Sequence, residues 1–332
     1  MPVNTLLATY SDYAFHSAVA VYLLAFALHL AEHARARALK LTAVPAQVAV
    51  PAGGASAVDE AEEADARVPA EAPELATGAP TRPSRPLGER LGRTGVALTI
   101  LAALLHAASI AVRGVAVGRW PWGNMYEFIS AICLMTVLGW LVTLRGTPAL
   151  RPAGAFVLLP VEVLLFVAGS ALYVRAGPVV PALQSYWLAI HVTAVSIASG
   201  LLMVAGVGSA LFLVRRAARR GPVLDLLPAA ETLDRMAYRI TVFAFPLYTF
   251  AVICGAIWAE AAWGRFWGWD PKETVAFVVW VIYAGYLHAR ATAGWRAGGA
   301  AWINVLGLAA VLFNLFFVNL VTTGLHSYAG LG

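Results

Sequence analysis

Trp263-Gly264-Arg265-Phe266-Trp267-Gly268-Trp269-Asp270-Pro271-Lys272-Glu273-Thr274 is held between two long apolar runs. Three tryptophans in seven positions, joined by glycines, form an aromatic surface on a loop. Aromatic side chains do collect singly at membrane interfaces, but a clustered set suits a large planar ligand. The stretch ends in a helix start, with Asp270 at the N-cap, Pro271 at the first helical position and Glu273 at the third. Asp270 therefore reads first as the cap of the following helix and second as a direct contact to a ligand. Either way, a rigid cap sets where Trp267 and Trp269 point.

Outward from this loop the chain is apolar. Of 332 residues, 60% are hydrophobic and 12% charged, against about 25% charged in an ordinary soluble domain. Each crossing of a bilayer needs about 20 apolar residues, and eight such runs are read at 12–32, 94–113, 126–145, 153–174, 185–214, 238–260, 273–290 and 301–324. The expected fold is an all-α polytopic membrane protein of about eight transmembrane helices. With the tryptophan loop outside, about 18 of the 23 lysines and arginines fall in cytoplasmic loops or at their flanks, Arg215-Arg216-Ala217-Ala218-Arg219-Arg220 foremost. Both termini then lie on the extracytoplasmic side. This topology accounts for the net charge of +5, which is no argument for nucleic acid.

Three regions follow. Residues 1–33 hold the first transmembrane helix. Residues 34–92 form a linker rich in Ala and Pro, with the acidic run Asp59-Glu60-Ala61-Glu62-Glu63-Ala64-Asp65. It has no apolar period and is expected to be disordered on the cytoplasmic side. Residues 93–332 hold seven helices, including the outer loop 263–274. No internal repeat is evident, which speaks against a transporter of inverted halves. Cys133 and Cys254 lie in different spans and form no C-x-x-C pair, so the chain supplies no dithiol centre.

Histidines bracket the loop. His191 follows Ser185-Tyr186-Trp187 by about 7 Å of helix rise, and His326 follows the last span in Gly324-Leu325-His326-Ser327-Tyr328. Both belong to the outer side. Imidazole nitrogens beside an aromatic shelf are what a haem iron and its macrocycle require. His288 lies about 21 Å of helix beyond Thr274, near the cytoplasmic end, as an interfacial residue or a second metal station. Glu162 and His106 are the buried ionisable residues of other spans; His106 reads as a packing or hydrogen-bonding residue. A second aromatic, turn-rich crossing stands at Gly118-Arg119-Trp120-Pro121-Trp122-Gly123-Asn124-Met125-Tyr126-Glu127.

The loop motif, with Trp187-x-x-x-His191, Tyr286-Leu287-His288-Ala289-Arg290 and the His326 segment in order around it, resembles the CcsA/ResC family of cytochrome c biogenesis proteins, also called CcsB. These belong to a haem-handling superfamily marked by a tryptophan-rich outer loop. The resemblance covers roughly residues 93–332 and excludes the acidic linker. It implies a protein of the bacterial cytoplasmic membrane, its site facing outside, that moves haem b outward and helps attach it to apocytochrome c through a C-x-x-C-H segment. A Ccs1/ResB-like membrane subunit is the implied partner, and thiol-reducing proteins keep the acceptor cysteines ready. His191 and His326 become axial ligands of an outer haem and His288 a ligand of an inner one. The second inner ligand is then expected from the partner, with His29 the one candidate within this chain. Trp263, Trp267, Trp269 and Asp270 complete the implied binding residues, and Arg265 and Lys272 are open to haem propionates or to lipid headgroups. A haem exporter or chaperone that makes no covalent bond is the competing reading.

Overall fold

The computed structural model describes residues 3–42, 86–217, 226–292, 295 and 297–326, and every regular element among them is helical. The helices are α1 (Thr5–Thr42), α2 (Leu87–Val117), α3 (Met125–Gly146), α4 (Gly154–Ser170), α5 (Tyr186–Ala217), α6 (Ala230–Trp263), α7 (Pro271–Ala291) and α8 (Ala297–Leu320), with a 3₁₀ turn at Pro148–Ala153 leading into α4. Eight segments are long and apolar enough to cross a bilayer, in accord with the eight apolar runs. The protein is a multi-pass membrane protein. Most of the stretch read as a linker, residues 43–85, lies outside the described residues, while α1 and α2 extend helix into both ends of the 34–92 range.

Helices pack in sequential pairs: α1 along α2, α5 along α6, α7 along α8. Helix α5 is central, touching α3, α6 and α8. Lipid offers no hydrophobic drive between helices, so close packing depends on small residues. Gly200 of α5 shows this: a β-carbon there would meet the Thr136 amide nitrogen of α3 at 2.6 Å. Gly206 plays the same part against Leu308 of α8. Helix α7 shares few contacts with its sequence neighbour α6 and leans on α8 instead, leaving a space between α3, α5, α6, α7 and α8.

Ion pairs close both ends of the bundle. Opposite the tryptophan loop, Arg151 donates to Glu32 at 2.7 and 3.0 Å, and Arg290 to Asp234 at 2.6 Å. His29 is buried there, packed against Gly95 and Gly154. Helix α1 packs on α2 and α4, whereas α7 packs on α6 and α8. His29 is therefore not placed beside His288. His106 is fully buried and bonds Ser130 of α3 at 2.8 Å.

Candidate functional site

The loop between α6 and α7 is held by one carboxylate. Glu273 accepts from Arg265 Nη1 at 3.0 Å, from the Gly268 amide at 2.8 Å and from the Asp270 amide at 3.1 Å. Gly264 ends α6 at φ 71°, the left-handed cap that glycine adopts at least cost. Trp269 takes φ 58° without that freedom. This turn carries its ring outward, where it is 65% exposed and packs edge-on against Phe277.

Asp270 does three jobs. It caps α7 by accepting from the Lys272 amide at 3.2 Å, takes the Leu325 amide at 2.7 Å, and accepts from His326 Nδ1 at 2.8 Å. The chain must pass very close: a β-carbon on Gly324 would sit 2.6 Å from Asp270 Oδ1. Burial pushes the Asp270 carboxyl up, but the Leu325 amide and His326 outweigh it and hold it below the usual carboxylate range. Burial depresses His326 more than the facing carboxylate restores it, so its net shift is downward. At neutral pH the pair is a carboxylate and a neutral imidazole whose proton is on Nδ1. Nε2 is left with its lone pair, the form a metal takes.

His191 reaches the same state by another route. Its Nδ1 lies 2.8 Å from the Ala251 carbonyl of α6. A carbonyl only accepts, so Nδ1 carries the proton and Nε2 is bare. Gly255, one turn on, makes room: a β-carbon there would meet His191 Cε1 at 2.7 Å.

Both imidazoles line one open cavity. Trp258 joins them. Its ring stacks on His191 (centroids 6.0 Å, 9° between planes) and meets His326 edge-on at 5.5 Å, while its Nε1 donates to the Ala182 carbonyl at 3.0 Å. Trp263 closes the corner at 4.9 Å from His326. Trp267, Trp122, Phe128 and Val311 are among the walls.

Of the residues singled out from sequence, the structure thus brings together His191, His326, Trp263 and Trp267, with Asp270 directly behind His326. It does not bring Trp269, which faces away, or His288. His288 is exposed at the far end of α7, and its imidazole makes no hydrogen bond among the described residues. Arg265 is occupied by Glu273. Trp258 and Gly255 escaped the sequence reading. Only the five-residue step from Trp258 to Trp263, a little over one helical turn, hinted at the first.

The family model described as cytochrome c assembly protein matches residues 122–326, and Trp122 and His326 are the first and last residues lining the cavity. A cytochrome c biogenesis protein CcsA from Thermosynechococcus vestitus is 33% identical over 287 residues, covering 74% of this chain and 89% of that protein. The chain belongs to the CcsA family. A CcsA from Parasynechococcus marenigrum is likewise 33% identical over 269 residues, covering 71% of this chain and 87% of its own length. One from the alga Chlamydomonas reinhardtii is 35% identical over 232 residues, covering 68% and 65%. Among solved structures, a cytochrome c haem lyase CcmF superposes with a TM-score of 0.57 at 18% identity, covering 99% of this chain and 49% of that one. That likeness establishes a shared helical fold, including α1 and α2, which lie before the family match. Membership of the CcsA family places the chain in cytochrome c maturation.

Proposed function

We propose that this CcsA-family chain receives haem b, holds it between His191 and His326 at the extracytoplasmic face, and presents it for attachment to apocytochrome c. It acts in the bacterial cytoplasmic membrane as one subunit of a two-component synthase with a Ccs1/ResB-like partner. The observation that carries this reading is the matched chemistry of the two histidines. Each has Nδ1 committed to an acceptor, leaving Nε2 as the remaining nitrogen, and each lines the same aromatic cavity. Haem supplies the iron and the vinyl groups. Asp270 and the Ala251 carbonyl hold the ligand tautomers, Trp258 and Trp263 fix the ring orientations, and the apolar walls exclude water.

Each thioether forms by adding a thiol S–H across a vinyl C=C, with no leaving group. Both thiols belong to the acceptor's C-x-x-C-H segment, since Cys133 and Cys254 are buried in the bundle. The chain contributes position rather than acid–base chemistry. His288 fits an inner station whose second ligand comes from the partner, because its ring is exposed on α7.

The test is co-expression of the chain, a ResB-type partner and an apocytochrome. Haem that survives acid-acetone extraction of the cytochrome is expected, and its loss when either membrane subunit is omitted. Haem appearing outside but never covalently bound would establish export instead.

A further inference from the structure

Lys272 lines the cavity, and the histidine chemistry leaves it without a task. It is the second residue of α7, at the positive end of that helix, where a cation is electrostatically misplaced. Its side chain crosses toward α8, and Nζ donates to the Asn314 backbone carbonyl at 3.0 Å, 5.9 Å from the Phe128 ring. An ammonium has three donors, and among the described residues this is its one hydrogen bond. No carboxylate lies within ion-pair distance of it there. Asp270 takes the Lys272 amide rather than its ammonium, and Glu273 is committed to Arg265, Gly268 and Asp270. Yet Lys272 lines the cavity beside His191 and His326. The adjacent Asn314 side chain is buried with its Oδ1 unpartnered.

A buried cation with no carboxylate within ion-pair distance is costly, and here it sits on the wall of an open, mostly apolar cavity. Arg265 cannot serve, being held by Glu273. We infer that Lys272 is the carboxylate-binding group of the cavity: it takes one propionate of the haem and thereby sets which edge of the macrocycle faces the opening. This rests on the haem reading above. With a propionate held inside by Lys272, rotation of the macrocycle about its axis between the histidines is stopped, and the vinyl positions are fixed relative to the mouth. Asn314 and Asn319 line the same cavity.

The experiment uses the full-length chain in nanodiscs with two probes, ferric haem b and its dimethyl ester, whose propionates carry no charge. The parent is expected to bind haem b about tenfold or more tightly than the diester, the range of a charge-assisted hydrogen bond. In Lys272→Met that preference disappears: haem b weakens to the level of the diester, while diester affinity and the low-spin spectrum stay as in the parent. Lys272→Arg retains the preference. Unchanged diester binding shows that the variant is folded. Equal affinities in the parent, or a preference that survives in Lys272→Met, would overturn the inference and leave the histidine site standing. If neither probe gives a low-spin spectrum dependent on His191 and His326, the haem reading itself falls, and the inference with it.

Discussion

The turns leading into α3 and α7 follow one plan. Before α3, Arg119 donates to Glu127, eight residues on, at 2.9 Å, the Gly123 amide reaches the same carboxylate at 2.7 Å, and Asn124 caps the helix. Before α7, Arg265 donates to Glu273, also eight residues on, at 3.0 Å, the Gly268 amide follows at 2.8 Å, and Asp270 caps. Each loop carries an outward tryptophan, Trp120 at 66% exposure and Trp269 at 65%. Both loops line the cavity. No internal repeat was evident along the sequence, yet these two turns repeat one loop architecture.

Two differences separate them. Glu127 also receives buried Arg113 at 2.7 Å, and Arg113 in turn donates to the Val174 carbonyl at 2.5 Å. The first loop is thus riveted to α2 and to the segment after α4. The second loop turns its extra capacity on a histidine: its cap is an acid instead of an amide, the capping oxygen Oδ2 also accepts from His326, and Oδ1 takes the Leu325 amide. One turn has been built for rigidity and the other for orientation.

The comparison breaks most visibly at His326, which the second loop holds through Asp270 and which faces His191, held by the Ala251 carbonyl of α6. His191→Ala and His326→Ala should each abolish cytochrome c maturation and convert the haem spectrum from six- to five-coordinate, with partial rescue by added imidazole. Parental maturation in both variants without imidazole would remove the bis-histidine site. Next in size is the contrast between the two glutamates. Glu127→Gln takes from buried Arg113 its closest carboxylate and leaves it Asp12 at 3.7 Å; breaking a buried pair costs about 3–5 kcal/mol, so the protein should be lost from membranes or melt far earlier. Glu273→Gln leaves Arg265, which is partly exposed, and should lower haem retention while keeping the protein in the membrane. Similar thermal stability in the two variants would undo the assignment of rigidity to the first loop.

A finer cut exchanges the caps. Asn caps helices as well as Asp, so Asp270→Asn should keep the α7 cap and the protein in the membrane. It removes the charge that selects the His326 tautomer, and haem retained per molecule should fall about tenfold, the range expected for an outer partner of a metal ligand. The reciprocal Asn124→Asp should leave haem retention as in the parent. Equal retention in both would mean that the acid at Asp270 has no task beyond capping. The smallest effects belong to the exposed rings: Trp120→Ala and Trp269→Ala should change haem retention less than twofold, whereas Trp267→Ala, on the cavity wall, should reduce it measurably. A larger loss from Trp269→Ala than from Trp267→Ala, read from the haem absorbance of purified protein, would reverse this order.

The amino-acid sequence by itself determined the eight spans, because hydropathy over some 20 residues is a local property. It also determined the cap of α7, since Asp270-Pro271-Lys272-Glu273 carries its own hydrogen-bond partners within one turn. The order of His191, the tryptophan loop and His326 was legible as a resemblance, and with it the family. Tertiary structure decided what each residue does. Asp270 meets His326, 56 residues away, and His191 meets Ala251, 60 residues away; no local pattern encodes which carbonyl or carboxylate a helix will bring to an imidazole. Arg265 and Lys272 looked alike as cations, and only packing showed one neutralised by Glu273 and the other left facing the cavity. Trp269 looked like its neighbours until a single backbone torsion turned it outward. Apolar burial and helix capping act over a few residues and can be read along the chain. The surroundings of His191 depend on which helices α5 packs against, and that is settled by the close approach its glycines permit.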